Sequence, residues 1–71
     1  MRKNCDYIIT YAYRLNEEEE IVLGKKQSGK RTDFVTWMCN NQGRNYFWGH
    51  YFDNEIDALE DLVERIKKEI R

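Results

Sequence analysis

Residues 33–52 contain two runs rich in aromatic side chains, separated by a short polar segment with a glycine near its end. These twenty positions hold both tryptophans, all three phenylalanines and two of the five tyrosines of the 71-residue chain. Two such runs on either side of a polar, glycine-containing segment are typical of a β-hairpin. Because most of the large apolar side chains lie in this hairpin, the other elements must pack around it.

Length and charge restrict the class of protein. A chain of 71 residues forms one domain, residues 1–71, which buries only about 60% of its unfolded surface and is marginally stable. Charged residues make up 35% of the chain but nearly cancel, to a net charge of −1. An overall attraction to nucleic acid is therefore not indicated, although a local basic patch can still act. No apolar run approaches 18 residues or has the form of a signal peptide, so we expect a cytoplasmic protein without a membrane segment.

Hydrophobic patterning predicts four strands, at about residues 6–14, 21–26, 33–40 and 45–52, after a frayed basic lead-in at residues 1–5. The second and third strands are joined by a polar and basic connection at residues 27–32. Alternation in the first strand places four side chains on one face: Tyr7, Ile9, Tyr11 and Tyr13. In the aromatic hairpin, the expected cross-strand pairs are Cys39 with Tyr46, Trp37 with Trp48, and Thr36 with Gly49.

A single amphipathic helix is predicted at about residues 54–70, with Asp53 or Asn54 as the N-cap. Its apolar stripe recurs at spacings of three and four residues and consists of Ile56, Leu59, Val63, Ile66 and Ile70. The predicted architecture is α+β: a four-stranded antiparallel meander followed by one helix packed on one face of the sheet (ββββα).

The two hairpin strands are apolar on both faces, whereas one helix can cover only one face of a sheet. The second face is therefore expected to be covered by a neighbouring molecule, or to be an aromatic surface that binds something. The residues predicted for this interaction surface are Trp37, Tyr46, Phe47, Trp48 and Tyr51.

Residues 24–31 nearly match the phosphate-binding P-loop pattern, but Arg31 stands where Ser or Thr would hold magnesium. A strand and not a helix is predicted to follow, so nucleotide hydrolysis is not expected. A solvated basic loop explains the segment better, with phosphate contacts as the alternative. The residues that would make those contacts are Lys25, Lys26, Lys30 and Arg31.

His50 could form a catalytic pair with Cys39, or a metal site that also includes Cys5. A catalytic pair also needs an orienting third group and an oxyanion pocket, and 71 residues offer little concavity. The spacing of a zinc site is absent from the sequence, so we expect no enzyme, no metal and no cofactor. Two cysteines are too few for a disulfide scaffold, and free thiols are expected. One bridge between the first strand and the hairpin is the alternative.

The segments FVTWMCN and YFWGHYF, followed by the helix, resemble small accessory proteins of conjugative transposons and phages in Firmicutes. The resemblance covers residues 32–65 and implies a mobile-element setting and a binding or regulatory role, without any functional residue to transfer. We therefore expect a non-enzymatic domain that binds a protein partner or a second copy, and neither a membrane nor a small-molecule substrate. The alternative is nucleic-acid binding, in which bases stack on sheet aromatics beside the basic loop. The candidates for stacking are Tyr7, Tyr11, Tyr46 and Trp48.

Overall fold

The computed structural model describes residues 2–40 and 43–70. Five antiparallel strands form one curled, half-barrel sheet in sequential order, and one helix follows. The elements are β1 Lys3–Asn4, β2 Tyr7–Arg14, β3 Glu20–Ser28, β4 Arg31–Asn40, β5 Asn45–Phe52 and α1 Glu55–Glu69. The α+β class and the antiparallel meander are confirmed, whereas the predicted count of four strands is wrong. In the described part of the chain, no helix has the length and apolar composition needed to cross a membrane.

The additional strand is β1, which pairs with the start of β2 through a two-residue turn. The turn residues Cys5 and Asp6 both have positive φ, 49° and 67°, as in the type I′ turns that suit hairpins. Sequences with this turn usually place glycine or asparagine there, and neither is present. The expectation that residues 1–5 are frayed is therefore wrong for residues 2–5, and Met1 lies outside the described residues. The sequence pattern did not indicate this turn, because it contains no glycine.

The connection between β3 and β4 is shorter than predicted. The strands extend to Ser28 and Arg31, and only Gly29 and Lys30 lie between them. Gly29 has a φ of 62°, and a type II′ turn requires such a positive φ at its first central position. Residues 27–32 thus form the end of a tight hairpin in place of the expected loop.

An irregularity in β2 changes which side chains share a face. The register of β2 against β3 shifts between Ile9 and Tyr11, so that Tyr11 lies opposite Leu23. Tyr7 therefore faces away from the helix, whereas Tyr11 and Tyr13 lie on the helix side of the sheet. The prediction that these tyrosines lie on one face is wrong, because a β-bulge moves every later side chain to the other face.

The aromatic hairpin begins in the predicted register, with Cys39 opposite Tyr46. Beyond a second irregularity, Thr36 lies opposite His50. The expected pair of Thr36 with Gly49 therefore does not form. One extra residue in β5 accounts for the difference, as in a β-bulge.

The bulge lies at Trp48, whose φ is 55°. It separates Trp48 from its expected partner Trp37, so this predicted pair does not form. A Cβ atom at Gly49 would lie 2.8 Å from Trp37 Nε1. The backbone of β5 thus passes directly over the Trp37 indole, and only glycine fits there.

Both faces of the central strands are buried. Between the sheet and the helix lie Ile21, Leu23, Phe34, Met38, Ala58 and Leu62. On the opposite face lie Tyr7, Val22, Val35, Trp37 and Cys39. The curled sheet and the β1–β2 hairpin therefore give one small chain two apolar clusters, one on each side of β3 and β4.

Candidate interaction surfaces

The second face of the sheet is covered by the chain itself, and Arg2 closes it. The Arg2 guanidinium donates from Nε to the Tyr46 hydroxyl at 2.9 Å and from Nη2 to Glu20 Oε1 at 2.7 Å. The same nitrogen donates to Cys39 Sγ at 3.3 Å. The main-chain oxygen of Arg2 accepts from the Ile9 amide at 2.9 Å. Arg2 thus joins β2, β3, β4 and β5 across this face.

Trp37 lies in the core of this covered face, with only 4% of its surface exposed. Its ring packs edge-on against Tyr7 and Tyr46, with centroids 5.4 Å apart in both pairs, and against Tyr51 at 6.5 Å. Trp37, which the sequence placed on an interaction surface, is therefore a core residue: Tyr7 of β2, Tyr46 of β5 and Arg2 cover the face that one helix could not. Tyr46 and Phe47 are partly buried.

Two of the predicted surface aromatics are exposed: Trp48 at 72% and Tyr51 at 63%. Both belong to β5, which is an edge strand of the sheet. They do not form one surface, because Tyr51 packs near Trp37 on the covered face, while Trp48 lies beside α1.

Trp48 has a backbone conformation that bulky residues rarely adopt, and Arg65 of α1 supports it. The Arg65 guanidinium donates to the main-chain oxygen of Trp48. Its Nε also donates to Asp61 Oδ2 at 3.3 Å, one helical turn earlier. Because the Arg65 side chain is only 10% exposed, this contact fixes the bulge of β5 against the helix.

Asp61 joins the helix to the centre of the sheet. Thr36 Oγ1 donates to Asp61 Oδ2 at 2.5 Å, and His50 Nδ1 lies 3.0 Å from the same oxygen. Burial of the carboxylate by itself raises the pKa of Asp61, but the Thr36 hydroxyl, His50 and Arg65 outweigh it. The pKa of Asp61 is therefore below its usual value.

This cluster resembles part of a catalytic triad, but its geometry is that of a structural network. The Thr36 hydroxyl is fully buried and donates to the carboxylate and not to the imidazole. Cys39, the predicted thiol partner of His50, belongs to the cluster on the opposite face of the sheet. Cys5 lies in the exposed β1–β2 turn. The structure thus does not bring His50 and the two cysteines together.

The basic residues predicted to contact phosphate are Lys25, Lys26, Lys30 and Arg31. Lys25 and Lys26 are neighbours in β3, so their side chains lie on opposite faces. The Lys26 ammonium sits 5.0 Å from the centre of the Tyr7 ring, a cation–π contact. Arg31 Nε is paired with Asp33 Oδ1 at 2.7 Å. These residues therefore do not form one basic patch.

A small cleft of about 220 Å³ opens where β5 meets the C-terminal half of the helix. It is lined by Met38, Trp48, His50, Arg65, Lys68 and Glu69. An exposed indole beside an arginine and a lysine is a combination that stacks on bases and contacts phosphates. The sequence pattern did not point to it, because its residues come from three elements.

The helix carries a line of exposed apolar residues. Ala58 and Leu62 are buried against the sheet, whereas Ile56, Val63 and Ile70 are 70%, 47% and 57% exposed. We call the line Ile56, Leu59, Val63, Ile66 and Ile70 the apolar ridge. Beside it lies a groove of about 510 Å³, lined by Ile56, Leu59, Glu60, Val63 and Glu64.

The ridge is the stripe that the sequence predicted would pack on the sheet. In the structure the helix is rotated, so that Ala58 and Leu62, at the edge of that stripe, point into the core. Leu59 and Ile66 are partly buried, and the outer three residues face solvent. The helix therefore has more apolar surface than this sheet covers.

Comparison with protein-family models, with curated proteins and with solved structures finds no match to this chain. Within residues 2–40 and 43–70, no three His, Cys, Asp or Glu side chains are grouped so that they could hold a metal ion.

Proposed function

We propose that this protein is a non-enzymatic interaction domain that binds another protein chain through the apolar ridge of α1. The observation that carries the proposal is the exposure of Ile56, Val63 and Ile70 in one line along a helix that is otherwise highly charged. Single exposed apolar residues need no explanation, but a continuous line beside a groove is typical of a protein-binding site.

Energetics favour an interface at this position. Full burial of one large aliphatic side chain contributes about 1.5–3 kcal/mol, and the three outer ridge residues are each about half exposed or more. A partner that covers these three side chains would gain part of that burial free energy as binding free energy. The gain is not small beside the few kcal/mol that stabilise a domain of this size. Glu60 and Glu64 border the groove and supply a polar rim.

Nucleic-acid binding is the second candidate, and the cleft at Trp48 is the observation that favours it. Trp48 offers an exposed ring and Lys68 a positive charge next to it, while the guanidinium of Arg65 is engaged with Asp61 and the Trp48 main-chain oxygen. The acids Asp61 and Glu69 offset that charge, so the site attracts phosphate only weakly. Binding there would weaken steeply as salt rises, whereas binding at the ridge would not.

A photo-crosslinking amino acid placed at single positions tests the proposal in cells that produce the protein. Position 63 lies in the ridge, position 51 carries the exposed sheet tyrosine, and position 30 at the tip of the β3–β4 hairpin is the control. We expect a light-dependent protein adduct from position 63 alone. We expect it to disappear when Ile56→Ser and Ile70→Ser are combined.

Equal adducts from positions 63 and 30, or none from position 63, would refute the ridge as an interface. An adduct from position 51 alone would return the interface to the sheet aromatics. A mobile-element setting, as in the accessory proteins that the sequence resembles, remains a prediction.

A further inference from the structure

We infer that the partner of the apolar ridge is a second copy of this chain, bound as an antiparallel pair of α1 helices related by a two-fold axis near Val63. This inference rests on the proposed function, since it names the occupant of the same surface. Three features of the helix support it: the spacing of the ridge, the shape of the groove and the distribution of charge.

The ridge has the spacing of a coiled-coil seam. From Ile56 to Ile70 the intervals are three, four, three and four residues, which is the heptad pattern of core positions. A helix that only packs on a sheet needs a broader stripe at a period of 3.6 residues. Here Ala58 and Leu62 supply the main contact with the sheet, and Leu59 and Ile66 also pack against that core. Ile56, Val63 and Ile70, one per heptad, are the seam residues that this fold leaves exposed.

The groove has the form that receives a side chain from a second helix. Four of its lining residues, Ile56, Leu59, Glu60 and Val63, stand at positions i, i+3, i+4 and i+7. Four residues in this arrangement form the hole into which a core side chain of a facing helix inserts. A two-fold axis between Val63 and Ile66 sets the seam positions of the two copies opposite each other, Val63 against Ile66 and Leu59 against Ile70. Ile70 of each copy then enters this hole on the other.

Charge along the helix favours the antiparallel direction. Residues 55–64 carry five acidic and no basic side chains, whereas residues 65–69 carry three basic and one acidic. A parallel pair would place acid beside acid, which is unfavourable. In the antiparallel pair, Glu60 of each copy lies beside Lys67 of the other, at matching positions that flank the seam. The two helix dipoles also oppose one another favourably.

The size of the contact indicates weak association. A helix of 15 residues is about 22 Å long, so one helix face buries less than the roughly 800 Å² per partner of a standard interface. Tyr11 and Tyr13, which are half exposed on the same side of the sheet, add to the apolar surface. We expect a dissociation constant on the order of 100 µM.

Sedimentation equilibrium of the full chain from about 10 µM to about 1 mM measures this association, because dimer formation follows mass action. The variants Glu60→Lys and Lys67→Glu each place like charges together twice across the pair. We expect each to weaken self-association about tenfold or more. Lys68→Glu is the matched control, since it makes the same charge change on the side of the helix that lines the Trp48 cleft.

Mixing the two variants decides the direction of the pair. In the mixed antiparallel pair, the introduced lysine at position 60 meets the introduced glutamate at position 67 at one flanking contact, and the unmutated Lys67 meets the unmutated Glu60 at the other. Both contacts are therefore attractive, so the mixture should associate at least as tightly as the wild type. Failure of the mixture to recover association would overturn the antiparallel arrangement. So would equal weakening by Lys68→Glu.

A chain that stays monomeric up to 1 mM would overturn the inference. If such a chain still formed a crosslink from position 63 to a different protein, the proposed function would stand and only the identity of the partner would change. A crosslinked species of twice the chain mass, lost in Lys67→Glu and kept in Lys68→Glu, would support both.

Discussion

Replacement of Arg2 by alanine tests how much the contacts of Arg2, which the sequence pattern did not predict, contribute to the free energy of unfolding. The Arg2→Ala change removes the donors to the Tyr46 hydroxyl, Glu20 and Cys39 together. It also uncovers the ring of Tyr46, because the Arg2 guanidinium lies over that ring with its Cζ 5.7 Å from the ring centre. The fold remains, because the sheet and the helix side of the core are unaffected.

The expected loss is about 2 kcal/mol. One hydrogen bond to a neutral group contributes about 1 kcal/mol, and a charged one about 1.5–3 kcal/mol. The Arg2–Glu20 ion pair contributes less than 1.5–3 kcal/mol, because the Arg2 side chain is 34% exposed and solvent screens the charges. Glu20, at 17% exposed, loses its partner and adds a desolvation cost. For a domain of this size, 2 kcal/mol lowers Tm by about 8–16 °C.

Thermal and urea unfolding followed by circular dichroism at 222 nm measure this loss. Arg2→Lys should fall between wild type and Arg2→Ala, because lysine keeps the charge but not the planar fork that reaches Tyr46 and Glu20 together. Lys3→Ala, an exposed neighbour in β1, is the control and should change stability by less than about 0.5 kcal/mol. If Arg2→Ala behaved like Lys3→Ala, aromatic packing alone would close this face and the reasoning would be refuted.

Three further outcomes follow from the same structure. Gly49→Ala should destabilise the fold by about 1–3 kcal/mol in urea unfolding, since the added methyl group meets the Trp37 indole; a neutral result would contradict the close approach. A thiol reagent should modify the exposed Cys5 quickly and the buried Cys39 only after unfolding, because burial shields the Cys39 thiol and raises its pKa. Rapid modification of both cysteines in the folded protein would contradict the closed face. Asp61 has a lowered pKa when folded, so its stabilising effect is present above its unfolded pKa of about 3.9 and is lost as the pH falls through the folded value. Asp61→Asn should therefore flatten the fall in stability below about pH 4, and an unchanged pH profile would contradict the network.

Local patterns in the sequence were sufficient for much of the fold. Alternation of apolar residues placed strands in the regions of β2 to β5, and Asn54 caps the helix with its side chain accepting from the Asp57 amide. These features depend on residues close together in the chain. The sequence also indicated that both faces of the aromatic hairpin must be buried. It did not indicate which residues bury the second face.

The missed features depend on distant residues or on unusual backbone. Arg2 contacts Tyr46 across 44 positions, and nothing near Arg2 in the sequence indicates this. The bulge at Trp48 is signalled only by the following glycine, and a bulky aromatic residue with positive φ is rarely expected. Each bulge then moves later side chains to the other face, which is why the face assignments failed while the strand positions held.

The exposed ridge could have been anticipated in part. The strict three–four spacing from Ile56 to Ile70 is visible in the sequence, and it is compatible both with packing on a sheet and with a coiled-coil seam. What the sequence does not show is the rotation of the helix, which Ala58 and Leu62 determine by fitting against the sheet. The interaction surface that we propose therefore lies on the helix, whereas the sequence pattern placed it on the aromatic hairpin.

The most direct test of the account is an amide NMR concentration series on labelled protein, from about 50 µM to about 1 mM, a range that spans the expected dissociation constant. The account predicts that shifts and broadening appear in residues 55–70 as concentration rises. The Trp37 indole and the amides around Arg2 should remain unchanged, because the chain itself covers that face. Broadening of the Trp37 indole and of Tyr51, with an unperturbed helix, would contradict the account and show that the aromatic face is the interface.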